Sequence, residues 1–94
     1  MRGINCLGFQ ALTVSTTAVE FTLPTGTKMA TVVCESADVR YREDGSDPTG
    51  SVGTLMYDGD IMNYMDGNWE SVLGNTKFIR DGGTDATLNI HYYE

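Results

Sequence analysis

The residues able to do chemistry in this 94-residue chain are one histidine, His91, two cysteines, Cys6 and Cys34, and a surplus of carboxylates. A serine or cysteine nucleophile would have to draw its general base from His91, the only imidazole present. No serine and neither cysteine stands in a nucleophile elbow or a cysteine-protease pattern, so His91 reads as a polar surface residue and no enzyme is expected. Carboxylates gather at turns, in Asp58-Gly59-Asp60 and at Glu43, Asp44, Asp47, Asp81 and Asp85. Two carboxylates about 5–9 Å apart across a cleft could hydrolyse a glycosidic bond, but a chain this short leaves little room for a deep sugar cleft. Calcium takes about six to eight hard oxygens, and Asp44 and Asp47 would be the first place to look for them. No segment follows EF-hand spacing, however, and Asp-Gly is foremost hairpin chemistry, so neither metal nor cofactor is expected. Aromatic side chains could stack on sugar faces, and Trp69, Tyr57, Tyr64 and Tyr93 are the candidates. The competing reading puts Tyr57 and Tyr64 in a core and packs Trp69 against a neighbouring subunit.

The elements that must carry these side chains repeat at a period of two. Val19, Phe21 and Leu23 alternate with polar neighbours, as do Val39 and Tyr41, and Leu88, Ile90 and Tyr92. That is the pattern of half-buried strands, and on the last of them it turns His91 outward beside Asn89 and Tyr93. The run from Met29 to Cys34 is apolar or Thr throughout, which suits a strand covered on both faces. Turn pairs such as Asp44-Gly45, Asp58-Gly59, Asp66-Gly67 and Gly74-Asn75 separate the runs. The spacing predicts about eight strands, over 8–14, 17–23, 28–35, 38–43, 53–57, 60–65, 76–80 and 85–93. Asn68 to Gly74 holds the only Trp and is too short for more than a loop or a single helical turn. The expected fold is all-β: one small antiparallel β-sandwich, jelly-roll topology included, spanning 1–94. Its most exposed part would be the polar loop 44–53.

Charge and cysteine usage narrow the partners. Six Lys and Arg against 13 Asp and Glu give a net charge of −7, which opposes a phosphate backbone, so no nucleic acid is expected. Arg40, Arg42, Lys77 and Arg80 read as a solvated or salt-bridged sheet face that could still meet a carboxylate on a protein partner. The N-terminal stretch from Met1 to Phe9 lacks the unbroken apolar core of a secretory signal, and no segment approaches the ~20 apolar residues that span a bilayer. Synthesis in the cytosol favours free thiols, and Cys6 and Cys34 match no zinc spacing. Cys34 reads as core and Cys6 stays unassigned. A domain of this size buries only about 60–65% of its unfolded surface, so assembly into a homo-oligomer is a reasonable expectation.

In the order of its turns and strands the chain resembles the small virion-associated β-sandwich proteins of tailed bacteriophages. The resemblance runs through Leu23-Pro24-Thr25-Gly26, the charged strand Val39-Arg40-Tyr41-Arg42-Glu43-Asp44-Gly45, Pro48-Thr49 and Tyr57-Asp58-Gly59-Asp60. It continues through Phe78-Ile79-Arg80 to the tail from Asp85 to Tyr93, and departs at Gly67 to Thr76. It implies a non-enzymatic particle component, a capsid decoration or cement protein or a head–tail or tail accessory protein, made in the host cytoplasm and carried in the virion. Its partners would be further copies of itself and virion proteins such as the major capsid protein, with no membrane involved. Arg40, Arg42, Pro48, Trp69 and Arg80 are the expected interface residues. The alternative is a carbohydrate-binding or adhesin-like module.

Overall fold

The computed structural model describes residues 3–94; Met1 and Arg2, which open the stretch read for a secretory signal, lie outside the described residues. Eight strands follow in order: β1 (Cys6–Val14), β2 (Val19–Glu20), β3 (Met29–Glu35), β4 (Val39–Arg42), β5 (Thr54–Met56), β6 (Ile61–Tyr64), β7 (Lys77–Arg80) and β8 (Ala86–Tyr93). One helix, α1 (Glu70–Asn75), lies between β6 and β7. The strands pair as a folded ribbon, β1 with β8, β2 with β7, β3 with β6 and β4 with β5, all antiparallel. Rolling that ribbon adds the contacts of β3 with β8 and of β4 with β7. The result is two four-stranded sheets, sheet A in the order β1-β8-β3-β6 and sheet B in the order β2-β7-β4-β5. This is the expected β-sandwich, and its strand order is that of a jelly roll.

The period of two decides which side chains fill the space between the sheets. On β8, Ala86, Leu88, Ile90 and Tyr92 are buried, while Thr87, Asn89, His91 and Tyr93 face out. Val32 and Cys34 from β3, Val39 from β4 and Phe78 from β7 meet them with no exposed surface. Phe21 stands edge-on to both Phe78 and Tyr92, with ring centroids 5.3 and 6.1 Å away, and so ties sheet B to sheet A. Burying a side chain such as Phe78 contributes about 1.5–3 kcal/mol, which is where most of the stability of so small a domain must come from.

Two expectations change on contact with the structure. β3 is only partly covered on its outer face: Val32 and Cys34 are buried, but Thr31 and Val33 are half-exposed, with only Met29 at the start of the strand buried on that side. The strand expected over 17–23 contracts to β2, since only Val19 and Glu20 reach the β7 ladder, although Phe21 stays in the core. The loop 44–53 is largely exposed, as expected, but it is anchored at Pro48. Gly53 sits at φ 134, where an added Cβ would lie 3.1 Å from both the Pro48 Cβ and the Tyr41 carbonyl oxygen, and Pro48 is buried beneath it.

Candidate functional site

The charged residues expected at an interface lie on or beside sheet B, and each is engaged by its own chain. Strand alternation puts Arg40 and Arg42 of β4 and Lys77 and Ile79 of β7 on the outer side, with Glu20 of β2 opposite Lys77. Arg40 donates from Nε to Asp81 Oδ1 at 3.0 Å and from Nη1 to the Gly53 carbonyl at 3.0 Å. Arg42 makes a two-pronged contact with Asp44, Nε to Oδ1 at 3.0 Å, and that guanidinium holds the Asp44 carboxyl below its usual range. Lys77 Nζ lies 3.2 Å from Asp47 Oδ1, and Arg80 reaches Asp85 Oδ1 at 2.6 Å. The salt-bridged sheet face read from the sequence is therefore present, and its cations are already matched. The two carboxylates considered for calcium are committed to Arg42 and Lys77. Among the described residues no group of three or more His, Cys, Asp or Glu side chains is placed to hold a metal ion.

Trp69 and Pro48 are likewise held by their own chain. The Trp69 ring packs edge-on against Tyr64, centroids 5.4 Å apart, its Nε1 donates to the Met65 carbonyl at 2.8 Å, and its backbone N–H donates to the Lys28 carbonyl at 2.7 Å. With Leu73 of α1 buried beside it, this segment closes one end of the sandwich, so the indole packs on its own chain. Pro48 is buried in its loop. Of the four aromatics that could stack on a sugar, Tyr64 is core, with its hydroxyl donating to Glu43 Oε2 at 2.6 Å, while Tyr57 is exposed, against the competing reading that put it in the core.

The nucleophile candidates lack the surroundings that activation requires. His91 is exposed as expected, and its ring lies 5.0 Å from that of Phe9, which occupies the position opposite it on β1. Cys34 is buried and donates to the Ala37 carbonyl at 3.1 Å; its thiol is pushed up to about 11, first by burial and then by Asp58, Asp38, Asp60 and Glu35. That environment keeps the thiol protonated and inert. Cys6 is exposed and free. It pairs with Tyr93, whereas Cys34 pairs with Leu88, so about 17 Å of strand separates their levels along β8, far beyond disulfide reach. A cleft of about 340 Å³ opens between β1 and β2, lined by Gln10, Leu12, Val19, Glu20, Thr22 and Lys77. Its polar groups are satisfied from within: Gln10 Oε1 accepts from the Thr22 N–H at 3.1 Å and from the Tyr92 hydroxyl. No buried side-chain polar atom among the described residues lacks a partner.

What distinguishes the surface is the outside of sheet A. Its registers align Phe9, His91, Thr31 and Asn63 in one row across the four strands, and Ala11, Asn89, Val33 and Ile61 in the next. Thr13, Thr87 and Glu35 form a third row, in which Glu35 is the only acidic or basic side chain among the three rows apart from the titratable His91. Phe9 is 57% and Ile61 61% exposed. Sequence reasoning missed this surface because it followed the charged residues and the lone Trp. The signal was available in the odd-numbered positions of β1, β3 and β8, which carry almost no charge in a chain where one residue in five is charged. Comparison with protein-family models, with curated proteins and with solved structures gives no match.

Proposed function

We propose that this chain is a non-enzymatic building block that works through contacts between protein subunits, in the setting its turns and strands resemble, the particle of a tailed bacteriophage. The observation that carries the reading is the outer face of sheet A: three aligned rows of apolar, Thr and Asn side chains with one histidine and one carboxylate, on a protein of net charge −7. A surface exposed only to water has no reason to avoid charge, whereas the core of an interface is depleted in it. The cations of sheet B bind carboxylates of their own chain, and the thiol and imidazole lack activating partners, so the described residues offer surface rather than reaction chemistry. Jelly rolls serve both in viral capsid domains and in lectins, so the fold alone supports either a particle component or a sugar-binding module. The sugar-binding alternative needs aromatic rings free to stack: Tyr64 and Trp69 pack on each other, and among the four candidates the exposed Tyr57 is the ring it would rely on.

The test pairs the solution mass with a sugar titration followed by Trp69 fluorescence. A defined oligomer without a saturable sugar response is expected. A monomer whose fluorescence shifts and saturates with a sugar would contradict the reading.

A further inference from the structure

We propose that the open edge of β1 is a subunit seam: residues 8–14 pair antiparallel with the same residues of a second copy, joining two sheets A into one continuous sheet. The inference rests on the structural reading above and names its partner. Four strands lie at sheet edges, β1 and β6 in sheet A, β2 and β5 in sheet B. Three of them are short, β6 at four residues, β2 at two and β5 at three, and carboxylates guard two: Asp60 precedes β6 and Asp66 follows it closely, while Glu20 belongs to β2. Short strands and charged edges are how sheets avoid pairing with other chains. β1 has neither protection. It is nine residues long, Cys-Leu-Gly-Phe-Gln-Ala-Leu-Thr-Val, without a charge or a proline. It pairs with β8 on one side, and among the described residues no backbone hydrogen bond joins its other side to another segment.

The occupant follows from charge and symmetry. Two copies of a −7 chain repel unless they meet where carboxylates are absent, and among the four edges β1 is the long one that meets this condition. An antiparallel strand pair is also self-complementary, so a two-fold axis satisfies both copies with the same residues. The ladder with β8 is irregular between Cys6 and Gly8 and regular from there to Val14, which makes Ala11 the midpoint. A two-fold axis through Ala11 sets Phe9 opposite the partner's Thr13 and Gln10 opposite the partner's Leu12, so that outward residues stay outward and inward residues stay inward. The charged groups nearest the seam lie in the cleft beneath it, where Lys77 and Asp47 neutralise each other and Glu20 adds one negative charge.

Light scattering on the intact chain is expected to give twice its 10.3 kDa mass. Replacing three exposed positions together, Phe9→Glu, Ala11→Glu and Thr13→Glu, is expected to return the mass to 10.3 kDa with the circular dichroism of a β-protein retained. A second pair of variants does not depend on that triple change folding. On mild oxidation, Cys6→Ser with Ala11→Cys is expected to cross-link into dimers, and Cys6→Ser with Asn63→Cys, on the opposite edge, is not. An oligomer that survives the folded glutamate variant, or cross-links better through position 63 than 11, overturns the seam and leaves the structural reading standing. A monomeric intact chain also overturns the seam, and it overturns the structural reading as well only if that monomer saturates with a sugar.

Discussion

The two sheets of this jelly roll have outer faces of opposite character. Sheet B carries Arg40, Arg42, Lys77 and Glu20, with Asp44, Asp47 and Asp81 brought up from loops to meet the cations. Sheet A presents Phe9, Ala11, Val33, Ile61, Thr and Asn, with Glu35 at one end. Both belong to one small chain and sit over the same core. The difference teaches that a charged face can be the self-sufficient one: its cations already have carboxylate partners, while the outer face of sheet A offers side chains that its own chain leaves uncovered. Exposed pairs of this kind contribute about 0–1 kcal/mol each, so sheet B gains solubility and loop placement from them more than stability.

The comparison can be tested from its strongest lever downward. The largest effect should come from the core that both sheets share. Burial raises Cys34 from 9.0 to about 11 and Tyr92 from 10.0 to about 12, and it raises Tyr41 and Tyr64 as well, with Glu43 adding to both. Groups held protonated by the fold contribute their full stabilisation below their ordinary values, and that contribution is lost as the pH rises toward the raised ones. Each tenfold gain in proton affinity on folding is worth about 1.4 kcal/mol, so urea unfolding should show constant stability near neutrality and a fall of several kcal/mol above about pH 9. A transition midpoint unchanged up to about pH 11 would mean these groups are not held as described.

Next in size is Gly53→Ala, which forces a side chain into φ 134 against Pro48 and Tyr41 and disturbs the carbonyl that Arg40 holds. Thermal unfolding should report a loss of about 1–3 kcal/mol, with the solution mass unchanged, because the damage falls on sheet B. Smaller again is Asp44→Ala, which releases Arg42; a small loss of thermal stability is expected, and it should vanish in high salt. Smallest for folding is Val33→Glu together with Ile61→Glu on sheet A, expected within about 0.5 kcal/mol per site if these positions are only surface. Because Ile61 lies on the edge opposite β1 and Val33 two strands from it, the dimer mass should survive both changes, and a large drop in monomer stability would show that the outer face supports the fold instead.

Much of this was legible in the sequence. Alternation on β8 placed Leu88, Ile90 and Tyr92 inside and His91 outside, and the turn pairs located all eight strands, because both signals are local. The strand order is that of a jelly roll, one of the topologies the expected sandwich allowed. What stayed hidden was relational. Nothing local says that Trp69 folds back onto Tyr64, that Gly53 caps Pro48, or that Asp81 arrives beside Arg40 from across the chain. The continuous apolar run of β3 suggested cover on both faces, and the structure leaves Thr31 and Val33 half-open on one. That mismatch lies on the face proposed to meet partners, where a strand patterned for burial lacks its second layer within its own chain.

The central claim, that the uncharged sheet and its long edge hold subunits together, is tested most directly by measuring the solution mass of the intact protein by light scattering across a salt series. The account predicts twice the 10.3 kDa chain mass at every salt concentration, because the seam contains no ion pair to screen. A mass of 10.3 kDa throughout, or a dimer that dissociates as salt is raised, would contradict it, and the second result would move the interface to the charged face of sheet B.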